Sequence, residues 1–483
     1  MSVTYYSTNN KDLKVSFESA LLCGLAPDYG LYMVARNEVP KLSKEKILSM
    51  QKMSYAQIAF EVLSPYLVPE IKENELRALL NDAYSEDKIP TKVEKVNDST
   101  YIMWLTSGPT YSFKDYAARF FGRTLNYFLG KRGLKRTVVV ATSGDTGGAV
   151  ADALYGLDNV DNIVFYPKGS ISEGQRRQMT TLGKNVYAFE VNGDFDVCQA
   201  LAKSLLNDKE FALKVFGDKE RLTSANSISV GRLLPQSVYP FFAYSRSAKN
   251  FEPLVTSIPS GNFGDMMGTV LAKQMGLPIS KIICGVNENT EFPDFLSSGN
   301  YVVSESKKSP SSAMIVSHPS NLARLIDFYG GHMFDERDSV TKKVIKEGVI
   351  DKMPFLEEMR KDIFSISVNN EEHFSTMRKV YDSTKIILDP HGAVGWKSLE
   401  EYRAKNGTSL SVIYETADPG KFPVDVNKSI GLVPSLPSGM QKQKTLKERI
   451  YSIDSASLAT PNGLKLTDEQ IKEAKLKIGQ IFA

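Results

Sequence analysis

No stretch of this sequence approaches the roughly 18 consecutive apolar residues that would suggest a membrane-spanning helix. Net charge is also nearly absent. The 59 Lys and Arg are balanced by 56 Asp and Glu, leaving +3 over 483 residues. No basic run is interleaved with aromatic residues, so neither nucleic acid nor a membrane surface is expected as a partner. Cysteine is scarce. Cys23, Cys198 and Cys284 are scattered and odd in number, which fits reduced thiols in a cytoplasmic protein rather than a disulfide framework. The four histidines (His318, His332, His373 and His391) have no metal-ligand spacing, and no metal is expected. The opening MSVTYYSTNNKDLK has no charged segment followed by an apolar core, so no secretory signal is expected. Nucleotide fingerprints are missing too: there is no G-x-x-x-x-G-K-[ST], and no G-x-G-x-x-G follows a strand.

What is present is ordinary globular composition, 42% hydrophobic and 24% charged, in a chain long enough for two or three domains. Residues 42–68 and 70–86 have helical patterning, and Ser54 and Gln57 stand at capping-box spacing. From about residue 112 short β-branched runs alternate with helical segments. RTVVVAT, NIVFYP, NVYAFEV and PLVTSI each precede a helix, and KIICGVN, TKIILDP and SLSVIYE are further strand candidates. This rhythm predicts a parallel sheet covered on both faces, with ligands at the carboxyl ends of its strands. Residues 287–345 read as surface loops or an insertion, 436–448 as an exposed mobile segment, and TDEQIKEAKLKIGQIF as a capped terminal helix. The expected division is 1–100, mainly helical; 101–245, a smaller α/β domain; and 246–483, a larger α/β domain. The oligomeric state is open, since no coiled-coil heptad is visible.

Three turns at strand ends combine glycine with hydroxyl residues: TSGPTYSFKD (106–115), ATSGDTGGAV (141–150) and IPSGNFGD (258–265). Glycine lets the backbone approach a ligand, and amides at a helix N-terminus favour an anion. Each turn is equally readable as a tight strand-to-helix connection. Lys114 follows a Gly-Pro turn at the start of a helix, where the positive helix end and partial burial favour the neutral amine that Schiff-base chemistry requires. A solvated lysine in a first helical turn would look the same. Thr416, at the end of SLSVIYE, could face a cofactor atom or cap the following turn.

Taken together, VSFESALLCGLAPDYGLY (15–32), GPTYSFKD, ATSGDTGGAV, PKGSISEGQRRQM (167–179), ANSISVGRLLPQ (225–236), PSGNFGD, DPHGAVG (389–395) and TADPGKF (416–422) resemble threonine synthase, a family of fold-type II pyridoxal-phosphate enzymes, in the family's order. The resemblance implies two open parallel-type α/β sheet domains with a cleft between them and a mainly helical N-terminal region. It implies pyridoxal 5'-phosphate as cofactor, held by Lys114 as a Schiff base, by Gly261, Asn262, Phe263, Gly264 and Asp265 at its phosphate, and by Thr416 at the pyridine nitrogen. Lys114 would then move protons among the substrate carbons. Thr142, Ser143, Gly144, Asp145 and Thr146 would receive the substrate carboxylate, and Asn226, Ser227, Arg232 and Lys168 the substrate phosphate. The implied reaction is that of a carbon–oxygen lyase acting on phosphates, turning O-phospho-L-homoserine and water into L-threonine and phosphate.

Ser107 and Asp418 stand where the family pattern has histidines, and YYSTNN lacks the common arginine-glycine. An acid at 418 would oppose a substrate phosphate if it lay beside one, or it is a turn residue in an Asp-Pro-Gly context. Two rival readings follow. One is a phospholyase that releases 2-oxobutyrate, ammonia and phosphate, and the other is a non-catalytic binding protein on the same fold.

Overall fold

A computed structural model describes residues 3–461 and 463–482; Met1, Ser2, Asn462 and Ala483, which fall in the expected first and last domains, lie outside the described residues. Contacts divide the chain into two units. The first comprises the chain up to Phe113 together with Ser227–Ser435, and the second comprises Lys114–Asn226 and the chain from Leu436.

In the first unit a six-stranded sheet has the order Ile363–Ser367, Ile279–Val286, Leu254–Pro259, Ser411–Glu415, Thr100–Trp104 and Lys92–Asn97. All neighbours are parallel except the edge pair Lys92–Asn97 and Thr100–Trp104. Central strands read as continuous apolar runs because both faces are covered. Val255, Ile283 and Ile413 bury against Leu399 of the helix Pro390–Asn406, each fully buried aliphatic side chain contributing roughly 1.5–3 kcal/mol. The N-terminal region is helical as expected, through Lys44–Ser49, Tyr55–Leu67 and Glu73–Tyr84. The Ser54–Gln57 capping box is formed in both directions. The same region also holds a three-stranded antiparallel sheet of Asn10–Val15, Tyr5–Ser7 and Tyr32–Val34. Its strands are too short to show a period in the sequence.

The second unit is built on a five-stranded, wholly parallel sheet in the order Ile450–Ile453, Val186–Val191, Val160–Pro167, Arg136–Ala141 and Leu222–Thr223. Alternate residues of Val160–Pro167 face opposite layers. Ile163 and Phe165 pack with Leu201, Leu205, Ala474 and Ile478 on one side, and Val164 and Tyr166 with Ala151 and Met179 on the other.

Several expectations change. The C-terminal stretch packs with the second unit rather than with the sheet that follows residue 246. Ile450–Ile453 pairs with Val186–Val191, and Ala474 and Ile478 of the helix Asp468–Phe482 enter that unit's core. TKIILDP is not a strand: Ile386, Ile387 and Leu388 pack against Ile102, Met377 and Val380 instead of joining a sheet. The 287–345 region contains the helices Glu291–Ser298 and Leu322–Phe328 and one strand of the antiparallel pair His332–Arg337 and Val344–Lys352. The 436–448 segment is docked. It includes the helix Ser438–Gln443, whose Met440 is buried on Gly174, while Glu448 accepts hydrogen bonds from Arg176 (2.9 and 3.0 Å) and Thr180 (2.8 Å). No helix among the described residues is long and apolar enough to cross a membrane.

Because Glu448 anchors this segment, Glu448→Ala should raise the rate of tryptic cleavage at Lys442, Lys444 and Lys447 several-fold by local opening. Mass spectrometry of limited digests of the folded protein measures it; an unchanged rate would mean that Met440 and the Arg177 hydrogen bonds to Gln443 O and Leu446 O hold the segment without Glu448.

Candidate active site

In the first unit, the strand Leu254–Pro259 ends in Ser260-Gly261-Asn262-Phe263, ahead of the 11-residue helix Gly264–Gln274. Phe263 has a φ of 62°, which is uncommon for a bulky residue. Its ring is buried and meets Phe292 edge-on with centroids 4.8 Å apart. Close approach requires glycine on both sides. A Cβ at Gly261 would lie 3.1 Å from Ala313 O and from Met314 Cα, and one at Gly264 would lie 2.7 Å from Gln236 Nε2. Ser260 donates its N–H to Gly285 O at 2.8 Å, and Met266 donates to Asp265 Oδ1 at 2.8 Å. Among the described residues, the N–H groups of Gly261, Asn262, Phe263 and Gly264 have no protein acceptor. Four consecutive donors at a helix N-terminus suit a phosphate.

The turn is supported from behind. Ala313 donates its N–H to His391 Nε2 at 3.2 Å, and His391 Nδ1 makes a short hydrogen bond to Asp389. This pattern assigns a neutral His391 with its proton on Nδ1. His373 repeats the arrangement, donating from Nδ1 to Asn369 O (2.7 Å) and accepting from Ser311 Oγ (2.9 Å), and burial lowers its pKa. Both histidines therefore hold the segment against which Gly261 packs. On the other side, Ser320 donates its N–H to Asn262 Oδ1 (3.2 Å), and Asn321 Nδ2 donates to Asn262 O (2.9 Å) and Ser227 O (3.4 Å). Ser227 Oγ lies 3.1 Å from Ser320 Oγ. Arg232 is buried, and its carbonyl accepts from the Gln236 amide that abuts Gly264 (2.7 Å).

Thr416 follows the strand Ser411–Glu415 and is buried; its carbonyl accepts the N–H of Phe113, the residue before Lys114, at 2.9 Å. Beneath it, Glu415 is wholly buried and accepts the Asp389 N–H at 2.7 Å. Burial, and then the Asp389 carboxylate, raise the Glu415 carboxyl well above the ordinary range. A Cβ on Gly392 would fall 1.6 Å from Glu415 Oε2, so the acid occupies the space that this glycine leaves. Asp418 caps the turn Pro419–Lys421 by accepting the Gly420 N–H at 2.8 Å. Burial raises its carboxyl against the lowering effect of that hydrogen bond, with Asp389 raising it further and Lys421 opposing. The turn role weighed for Asp418 is therefore filled, whereas nothing in the structure explains Ser107.

In the second unit, Lys114 opens the helix Lys114–Arg132, and its side chain is 16% exposed. Its Nζ stands 3.9 Å from Asp145 Oδ2, and Asp145 Oδ1 accepts from Gln175 Nε2 at 3.1 Å. Asp145 begins the helix Asp145–Leu154 after Gly144, whose φ of 137° is open to glycine. Thr142 Oγ1 accepts the N–H groups of Gly144 and Gly147, both at 2.9 Å. Ser143 at the tip is exposed and Thr146 is half-buried. Lys168 is exposed, 3.9 Å from Glu190, and Asn226 is exposed with its N–H on Ser224 Oγ at 3.3 Å.

Known proteins share this arrangement of chain segments. The family described as threonine synthase N terminus matches residues 4–84, pyridoxal-phosphate dependent enzymes match 90–349, and threonine synthase, C-terminal, matches 392–462. Threonine synthase of Pseudomonas aeruginosa is 34% identical over 453 residues, 92% of this chain and 94% of that protein. The chain belongs to the threonine synthase family. The family assignment makes it a fold-type II enzyme that uses pyridoxal phosphate. The X-ray structure of PLP-bound threonine synthase from Brucella melitensis superposes with a TM-score of 0.87 at 30% identity, covering 99% of both chains. The yeast enzyme does so with 0.86 at 31%, again over 99% of both. In this threonine synthase family member the turn at 261–264, whose four backbone N–H groups meet no acceptor among the described residues, has the donor chemistry to take an anion such as a phosphate.

Nothing in the sequence singles out Ser320 and Asn321, which lie in a stretch without periodicity. Gln236, Asp389 and His391 fall inside recognisable motifs, but their bracing of the turn comes from contacts between residues far apart in the chain. Glu415 had a signal, an acid ending an otherwise apolar strand.

Because folding raises the Glu415 pKa, the folded chain keeps a proton that the unfolded chain releases above about pH 4.3, and this group's contribution to stability falls as pH rises from there. Glu415→Gln, which mimics the neutral acid, should match the parent in thermal melting near about pH 4.5 and exceed it increasingly towards about pH 8. A constant difference across that range would show that Glu415 ionises freely.

Proposed function

We propose that this chain converts O-phospho-L-homoserine and water into L-threonine and inorganic phosphate. The observation that carries the reading is Lys114, largely buried at a helix start with its amine 3.9 Å from Asp145, in a chain of this family. When bound, pyridoxal phosphate supplies an electron sink for charge that develops on the substrate carbons. The chain's own residues do the rest. The N–H groups of Gly261, Asn262, Phe263 and Gly264 would hold the cofactor phosphate, with Asp265 shaping the start of the following helix. The Thr416 hydroxyl would hold the pyridine nitrogen and, unlike a carboxylate, would leave it without a strong proton donor.

Lys114 takes and returns protons at the substrate carbons as general base and acid, and Asp145 sets the direction of its amine. Thr142 shapes its loop by accepting two backbone N–H groups, which leaves Ser143 and Thr146 to receive the substrate carboxylate. Asn226, Ser227, Arg232 and Lys168 bind the substrate phosphate and stabilise it as it departs; the planar Arg232 fork matches phosphate oxygens. Water then adds at the β-carbon. The substrate is a small molecule and not a nucleic acid. Three free cysteines, one of them exposed, support a reducing, cytoplasmic setting.

Threonine and phosphate should appear in equal amounts when the purified protein is given pyridoxal phosphate and O-phospho-L-homoserine. Phosphate accompanied by 2-oxobutyrate would replace this reading with the phospholyase. Lys114→Ala should remove the visible absorbance of the bound cofactor and lower turnover by at least about 10³-fold; retention of both would move the cofactor linkage elsewhere.

A further inference from the structure

Arg324 is among the largest fully buried side chains of the described residues, at 0% exposure. Its guanidinium donates from Nε to Tyr32 O at 3.0 Å, from Nη1 to Asn321 Oδ1 at 2.5 Å, and from Nη2 to Ile228 O. All three acceptors are neutral, and among the described residues no carboxylate lies within ion-pair distance. Burial pushes its pKa down to about 9, with no acidic group opposing the shift. A buried, unneutralised cation is strongly disfavoured unless something compensates it. Core arginines that serve packing alone are ordinarily paired.

What Arg324 holds points to the compensation. Its Nη1 fixes the oxygen of Asn321, which leaves Asn321 Nδ2 to donate to Asn262 O in the phosphate-binding turn and to Ser227 O. Its Nη2 fixes the carbonyl of Ile228, the residue after Ser227. One guanidinium thus stands directly behind two chain segments that, under the proposed function, each meet a phosphate. A carboxylate partner at this place would cancel the positive potential offered to those anions, and none is present among the described residues. The order of contacts matters as well. An asparagine amide bound by a cation at its oxygen has its NH2 directed away, which sets the Asn262 carbonyl and so the plane of the Asn262–Phe263 peptide.

We propose that Arg324 is a positioning residue for the cofactor phosphate, acting through Asn321 on the Asn262 carbonyl and by its own unneutralised charge. This rests on the assignment of residues 261–264 to that phosphate.

The test compares pyridoxal phosphate with pyridoxal, which lacks the phosphate, by absorbance titration of the full-length chain freed of cofactor. Arg324→Gln should weaken pyridoxal phosphate binding at least tenfold while changing pyridoxal binding less than twofold. Arg324→Lys, which keeps the charge, should recover a substantial part of that loss. Equal weakening of both ligands would mean a general loosening of the fold and would overturn the proposal, as would no weakening at all. If Arg324→Gln does not fold, Asn321→Ala decides. It leaves in place the cation and the backbone N–H of residue 321, which donates to Asn262 O at 3.2 Å, and removes only the side-chain link between Arg324 and Asn262, so a selective loss of pyridoxal phosphate supports the proposal and an unchanged ratio sinks it. No amino-acid substrate enters the titration, so the role of Arg324 is decided even in a chain that fails to make threonine.

Discussion

The N–H groups of Gly261 to Gly264 meet no acceptor among the described residues and, with Asn262 exposed while Phe263 and Gly264 are buried, are left to be satisfied from the open side of the turn. The turn Gly261–Gly264 therefore has to be stiff, open on one side and braced on the other, or it would collapse onto a nearby acceptor. Much of the first unit meets that requirement. The strand Leu254–Pro259 delivers the turn from the middle of a sheet. Phe263 is pinned in a left-handed conformation by its buried ring, and the backbone at Ala313 and Met314 closes against Gly261. His391 and His373 hold that backbone in turn. Histidines whose sequence spacing argues against metal binding are thus used as neutral, two-ended hydrogen-bonding struts.

The second unit answers a different demand. Under the proposed function Lys114 has to be present at a helix start without being lost to solvent, and its carboxylate neighbour has to be held still. Thr142 winds the loop by accepting two N–H groups, and Gln175 occupies one oxygen of Asp145, leaving the other for the lysine. Gly144 and Gly147 are glycines for this reason. A Cβ at Gly144 would meet Gln175 at 2.5 Å and one at Gly147 would meet Thr142 Cγ2 at 2.3 Å. Chemistry and packing at this loop are one constraint.

Legibility in the sequence followed the same physics. The parallel sheets were readable because buried strands leave long β-branched runs, and the turn at 261–264 because glycine and helix-start patterns are local. TKIILDP misled because an apolar run of that length serves equally to line a cluster beside a helix, as Ile386, Ile387 and Leu388 do. The docking of 436–448 was hidden because its exposed lysines dominate the pattern, while the contacts that fix it, Met440 on Gly174 and Glu448 on Arg176, are made by residues far apart in the chain. Arg324 was invisible for a related reason: a cation in an irregular segment looks solvated until the fold closes over it.

The contact between Gly392 and Glu415 couples two positions 23 residues apart. A Cβ at 392 would fall 1.6 Å from Glu415 Oε2, so a side chain there requires the buried carboxyl to leave its place beside the Asp389 N–H or a smaller residue to stand at 415.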